Sequence, residues 1–225
     1  MAGPWGRVAL FGYERFIAPG VAPLHWMMTD DFFADLPAGC RVLDVGCGSG
    51  DVLCRLAARL PQIEALGVDF SAAQIVRARR RAAGIANVSF AIGDAMNLPL
   101  PDSSRDLVIS IAALKFWPDP LQGLRELRRV CRPTGRVWIA EADPECSEAD
   151  ARAFTARWRG VAPGLRSFVA WGFRRSIASR GVSCADLLDL FRRAGFAEAY
   201  ARPAPGLPLL IGVAGDEPLA RNAVC

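Results

Sequence analysis

The chain has one lysine and one histidine in 225 residues, so its basic side chains are otherwise all arginine. A lone histidine excludes a multi-histidine metal site. Seven cysteines stand at 40, 47, 54, 131, 146, 184 and 225 without a C-x-x-C pair. That odd, scattered set argues against a disulfide framework and against a zinc site, so no metal is expected. There is no G-x-x-x-x-G-K-S/T run, which disfavours a nucleoside triphosphate as the ligand. No uncharged apolar run reaches the roughly 18–20 residues needed to cross a bilayer. The first residues carry Arg7, Glu14 and Arg15 and lack a continuous apolar stretch, so a cytoplasmic protein without a transmembrane segment is expected. Internal repeats are also absent.

What is present is a chain that is 52% hydrophobic, enough for one full core. The pattern predicts a single domain over 1–225, with a cap segment at 1–38 and an inserted lid at 143–182. Apolar runs near 41–45, 64–69, 88–92, 106–111, 136–141, 196–202 and 208–213 read as strands. Helical spacing at 51–60, 72–83 and 121–131 alternates with them. A last helix begins at Ser183, which can cap it, and stops at Gly195. Alternation of this kind predicts an α/β fold with a doubly wound, mostly parallel sheet, and the turn-rich segment Arg202–Pro208 predicts an antiparallel hairpin at its end.

The most informative stretch is Val42-Leu43-Asp44-Val45-Gly46-Cys47-Gly48-Ser49-Gly50, an apolar strand set directly against a glycine turn. Glycines let main chain approach a ligand and adopt positive φ. Nineteen residues after Gly50 a second strand ends in Asp69, where a carboxylate can take both hydroxyls of a ribose; a helix cap ahead of Ser71 is the ordinary alternative. The dinucleotide fingerprint requires Gly or Ala at its sixth position, which here is Asp51. Asp44 and Asp51 flank the turn with negative charge, which suits an ammonium or sulfonium better than a pyrophosphate.

Further motifs follow in order. Val88–Ala95 is a strand closing on Gly93-Asp94-Ala95. Leu98-Pro99-Leu100-Pro101-Asp102 leads into Asp106-Leu107-Val108-Ile109-Ser110, and Phe116-Trp117-Pro118-Asp119-Pro120 opens a helix that stops at Arg132-Pro133-Thr134-Gly135. Ala194-Gly195-Phe196 forms a late helix-to-strand corner. With these motifs, residues 40–213 resemble the class I S-adenosylmethionine-dependent methyltransferases. Within that class the chain is most similar to the small-molecule group that includes the quinone-biosynthesis C-methyltransferases.

The resemblance implies a Rossmann-like, seven-stranded sheet with a helical lid and S-adenosyl-L-methionine as cofactor. It implies that Gly46, Cys47 and Gly48 approach the methionine moiety and that Asp69 holds the ribose. Phe70 and Ile111 would cover the adenine faces, and Asp94 with Ala95 would meet the adenine edge. Relatives often read Leu-His-His-Trp where this chain has Leu114-Lys115-Phe116-Trp117. The signatures of nucleic-acid base methylation are missing, so a small-molecule acceptor is expected and nucleic acid is not.

Three residues stand as catalytic candidates. Lys115 can hold a substrate carboxylate or phenolate, or act as a base once desolvated; alternatively it is a surface ammonium. Glu141, at the end of the fifth strand, can orient or deprotonate the acceptor, or be a hydrogen-bonded structural carboxylate. His25 lies among apolar residues of the cap segment, where packing is the alternative to catalysis. The lid adds a charge signal. Residues 151–182 carry seven arginines and no acid, interleaved with Phe154, Trp158, Phe168, Trp171 and Phe173. Such a surface suits an anionic acceptor, an acidic carrier protein or an anionic membrane face; a solvated helix pair is the plain alternative. The expected function is methyl transfer to a small, partly apolar, anionic acceptor. A non-methylating protein of the same fold, which binds the cofactor for cyclisation or decarboxylation, and an RNA methyltransferase are the rivals.

Overall fold

A computed structural model describes residue 33 and residues 36–157, 162–204 and 206–217. Val42, Leu43 and Val45 of strand β1 (Arg41–Val45) are all buried, because β1 is flanked by β2 (Glu64–Asp69) and β4 (Arg105–Ile111) and covered on both faces. The sheet has seven strands in the order β3-β2-β1-β4-β5-β7-β6, with β3 at Val88–Ile92, β5 at Cys131–Ala142, β6 at Glu198–Pro203 and β7 at Leu209–Gly215. Strands β1 to β5 are parallel, whereas β7 runs antiparallel to both β5 and β6. This is the doubly wound sheet with a terminal hairpin that the alternating pattern predicts.

The strand order reverses at β1. The chain winds outward through β2 and β3, then returns to β4 on the other side. In such sheets the crevice at the carboxyl ends of the two strands flanking the reversal is the natural ligand position. Alternating side chains of β1 feed two cores: Val42 packs on one face with Leu53, Ile75 and Trp138, and Leu43 and Val45 pack on the other with Leu124, Leu127 and Phe191. Each fully buried aliphatic side chain of this kind contributes about 1.5–3 kcal/mol.

The helices start and stop where local chemistry says they should. Helix α1 (Asp51–Arg59) opens on left-handed Gly50, and α2 (Ala72–Arg81) is capped by Ser71 Oγ, which accepts from the Gln74 amide. Helix α3 (Pro120–Val130) has Asp119 as its cap and proline in its first turn. Two helices follow within 143–182, α4 (Glu148–Thr155) and α5 (Arg166–Ser176). They share a small core of their own around Phe154 and Phe173, whose rings lie 5.0 Å apart. The last helix, α6 (Cys184–Ala194), has the expected Ser183 cap and a Gly195 stop at φ 94°.

Several boundaries differ from the sequence reading by a residue or more, and two of them have a clear physical reason. Cys131 caps α3, its amide donating to the Leu127 carbonyl oxygen, and at the same time begins β5 by pairing with Arg105; a register shift separates that pair from Leu107–Arg136. The bend is held by an Arg132–Asp106 ion pair and by Gly135, where a Cβ would fall 2.6 Å from the Asp106 carbonyl oxygen. At the last corner, Phe196 packs edge-on against Phe191 at 5.4 Å instead of joining β6, which therefore starts two residues later. No helix among the described residues is long and apolar enough to cross a membrane.

Candidate functional site

The site is built on the carboxyl ends of β1, β2, β3 and β4. After Val45 the chain turns at Gly46 (φ 79°), Gly48 (φ 53°) and Gly50 (φ 73°), conformations that cost a residue with a side chain about 1–2 kcal/mol. The turn is tied to β2 by the Gly46 and Cys47 amides, which donate to the Val68 carbonyl oxygen at 2.8 and 3.2 Å. Each glycine has its own reason. A Cβ on Gly46 would lie 2.4 Å from the Ala113 methyl and one on Gly50 would lie 2.6 Å from the Phe90 ring, whereas one on Gly48 would meet nothing within 4 Å. Main chain at Gly48 thus borders open space.

Asp69 reaches across from the end of β2. Its Oδ2 accepts from the Gly48 amide and its Oδ1 from the Ser71 amide, both at 2.8 Å. Asp69 is therefore both a helix-entry anchor and a brace for the glycine turn, and each oxygen keeps a lone-pair direction for a ligand hydroxyl. Phe70, next in sequence, is 78% exposed. At the end of β3, Asp94 Oδ1 accepts from the Met96 amide at 2.9 Å, so this turn engages one carboxylate oxygen only. Ala95 is buried beside it, and Ile111 packs half-buried at the end of β4.

Asp44 is the electrostatic centre of this rim. It is 3% exposed, and its Oδ1 has no hydrogen-bond partner. Burial first, and the charge of Asp69 second, push its carboxyl up to about 8. An unpaired buried carboxylate is costly unless protonated or matched by a cation. The donor set therefore fits the cofactor that the family resemblance implies: a cationic group beside Asp44, bare main chain at Gly48, and a diol acceptor at Asp69. Cys47 beside them is no nucleophile, because burial and the neighbouring Asp44 and Asp69 push its thiol far above the ordinary range.

Lys115 and Glu141 meet as a buried ion pair. Lys115 Nζ lies 2.7 Å from Glu141 Oε1, with side chains 6% and 0% exposed. The ammonium also donates to the Ala112 carbonyl oxygen at 2.7 Å and sits 4.9 Å from the centre of the Phe116 ring. Glu141 accepts in addition from the amides of Lys115 at 3.1 Å and Ala142 at 2.7 Å. The two candidates thus come together, each facing the other. His25, Trp158, Arg159 and most of the cap segment lie outside the described residues. Phe168 and Trp171 stack at 5.8 Å on the exposed side of α5, and an open groove of about 510 Å³ is lined by Pro144, Trp171, Arg174, Arg175 and Ser179. No group of three or more His, Cys, Asp or Glu among the described residues can hold a metal ion.

Two contributors escaped the sequence reading, Ala112 and Ala113. Ala112 adopts φ 55°, and its neighbour's methyl fills the space under Gly46. An alanine carries no local signal for either role.

Comparison with known proteins agrees with this architecture. Residues 36–170 match a family model described as a methyltransferase domain. The chain is 37% identical over 131 residues to a demethylmenaquinone methyltransferase of Deinococcus radiodurans, covering 58% of this chain and 54% of that protein. It is 33% identical over 171 residues to the 27-O-demethylrifamycin SV methyltransferase of Amycolatopsis mediterranei, covering 74% and 62%. These two relatives are thus matched over little more than half of their length. A demethylmenaquinone methyltransferase of Listeria monocytogenes is 31% identical, with 73% of this chain and 72% of that protein covered. Among solved structures, a SAM-dependent methyltransferase from Aquifex aeolicus shares the fold with a TM-score of 0.61 at 19% identity, covering 90% of this chain and 91% of that one. With its glycine turn, its strand-end carboxylates and these matches, the chain belongs to the methyltransferase domain family.

Proposed function

We propose that this protein transfers a methyl group from S-adenosylmethionine to a small, partly apolar and anionic acceptor of the quinone, natural-product or lipid-like kind, in the cytoplasm. The observation that carries this reading is the unpaired, buried Oδ1 of Asp44 beside open main chain at Gly48 and the strand-end carboxylate of Asp69. Relatives named for demethylmenaquinone and 27-O-demethylrifamycin support the acceptor class, as do the arginines and exposed rings of the lid.

When bound, the cofactor supplies an electrophilic methyl on a cationic sulfur. The protein's own task is to hold adenosine and methionine in place and to keep water out. In this reading Asp69 accepts from the ribose hydroxyls, Phe70 and Ile111 flank the adenine, Asp94 and the Ala95 amide meet its edge, and Gly46, Cys47 and Gly48 line the methionine end. Because positive charge is dispersed as the methyl moves, a dry, aligned pocket supplies much of the rate. An acceptor already ionised at neutral pH needs no base, which is consistent with Lys115 and Glu141 facing each other.

Calorimetric titration with S-adenosylmethionine tests the cofactor half. Wild-type protein should bind it and Asp69→Ala should bind it far more weakly; absence of binding by the wild type removes the proposal. Release of S-adenosylhomocysteine across a panel of phenols, quinols and carboxylates tests the transfer half. A protein that binds the cofactor and methylates none of them favours a non-methylating role of the same fold. The lid is proposed to face an anionic partner, either an acidic carrier protein or an anionic membrane surface.

A further inference from the structure

We infer that Lys115 and Glu141 are positioning residues for the cofactor loop: the Lys115 ammonium, neutralised by Glu141, clamps Ala112 in a left-handed conformation and so seats Ala113 beneath the Gly46 bend. The inference rests on the reading of that bend as the cofactor loop.

The geometry accounts for every charge in the pair. The three protons of the Lys115 ammonium meet the Ala112 carbonyl oxygen at 2.7 Å, Glu141 Oε1 at 2.7 Å and the face of the Phe116 ring, 4.9 Å away at its centre. Glu141 in turn takes the Lys115 amide on Oε2 and the Ala142 amide on Oε1. Both side chains are closed off from solvent, and the ammonium has no donor left for an incoming substrate without breaking the pair.

What the pair holds is strained. Ala112 stands at φ 55°, one of two non-glycine residues with positive φ among the described residues. Such a conformation persists only where surrounding contacts impose it. Here the contacts are the Ala112 amide, which donates to the Ala140 carbonyl oxygen at 2.7 Å, and the Ala112 carbonyl, which accepts from Lys115. The kink turns the chain from the end of β4 so that the Ala113 side chain reaches the place that a Gly46 Cβ would occupy, at a separation of 2.4 Å. Ala113 is 8% exposed, so it is wedged there. The β4 exit turn and the glycine bend therefore set each other's positions, and the ion pair joins that turn to the end of β5.

The test is a double variant, Lys115→Met with Glu141→Gln, which keeps volume and removes both charges, so that neither is left buried alone. S-adenosylhomocysteine affinity is read by calorimetry, with melting temperature beside it. The variant should stay folded and bind roughly tenfold more weakly. Adding Ala112→Gly should restore most of the affinity, because glycine takes the left-handed turn without a clamp. A residue that acted on the acceptor predicts the opposite: unchanged affinity, lost turnover and no rescue by glycine. That result overturns the inference. Should the double variant fail to fold, Ala113→Gly, which leaves the ion pair intact and removes the methyl seated beneath Gly46, should show the same weakening, and unchanged affinity there also overturns it. A wild-type protein that fails to bind S-adenosylhomocysteine sinks the cofactor reading itself, a distinguishable outcome.

Discussion

Asp44, on β1, titrates in the field of Asp69, which stands on the adjacent strand β2. Asp44 is buried with an unpartnered oxygen, and the charge of Asp69 adds to burial in raising its carboxyl to about 8. The raised value means that the folded protein holds a proton which the unfolded chain would release near pH 4, so on this account stability falls as pH rises from about 4 to 8 and is level above that.

Cofactor binding should show the reciprocal effect. A cation beside Asp44 favours the carboxylate, so at pH 7 binding must expel the proton. Affinity should rise with pH up to about 8 and then flatten, and the apparent binding enthalpy at pH 7 should vary with the ionisation heat of the buffer. Asp44→Asn should abolish both trends and bind weakly throughout. A pH-independent affinity in the wild type from pH 6 to 9 contradicts this account.

The glycines of the bend should fail in different ways. Gly48→Ala adds a methyl to open space at φ 53°, so it should cost about 1–2 kcal/mol, a melting shift of a few degrees, yet lose cofactor affinity out of proportion. Gly46→Ala drives its methyl into Ala113 and should cost about 2–4 kcal/mol. Adding Ala113→Gly should recover part of that loss in thermal melts; an equally unstable double variant argues against the packing described.

Glu126 and Arg129 hold the segment between β3 and β4. Glu126 Oε2 accepts from the Leu98 amide at 2.8 Å, and Arg129 donates to Glu126, Asp102 and the carbonyl oxygens of Leu98 and Leu100. The hydrogen bond from Arg129 holds the Glu126 carboxyl below its ordinary value. Its contribution is present above about pH 4.5 and is lost as pH falls below it. Glu126→Gln should cost about 1–3 kcal/mol at pH 7 and less at pH 3, measured by urea unfolding.

The exposed arginines of α5 should act in a salt-dependent way. Arg174 and Arg175 line the open groove together with Trp171. Reversing both to Glu should abolish binding to anionic vesicles or to an acidic carrier protein while leaving cofactor affinity unchanged, and wild-type binding should weaken steeply with salt. Retention of either interaction by the charge-reversed protein rules out this face as its docking site.

How much of this was legible beforehand follows physical range. The glycine turn, the carboxylates closing β2 and β3, the Ser183 cap and the Gly195 stop are encoded within a few residues of themselves, and all were readable because positive φ, strand period and capping are local properties. The start of β5 at Cys131 was not readable, since a partner strand some 26 residues away captures it. Lys115 and Glu141 both stand out by type and position, yet nothing near either in sequence shows that they face one another.

By itself the amino-acid order determined the alternation of strands and helices, the bare main chain at Gly46–Gly50 and the carboxylates set at strand ends, since each depends on neighbours along the chain. Only the tertiary structure decided that Lys115 closes on Glu141, that Ala112 is held left-handed and that Ala113 fits beneath Gly46. Those contacts arise from the lateral packing of β1, β4 and β5, and packing between segments distant in sequence has no local signature to read.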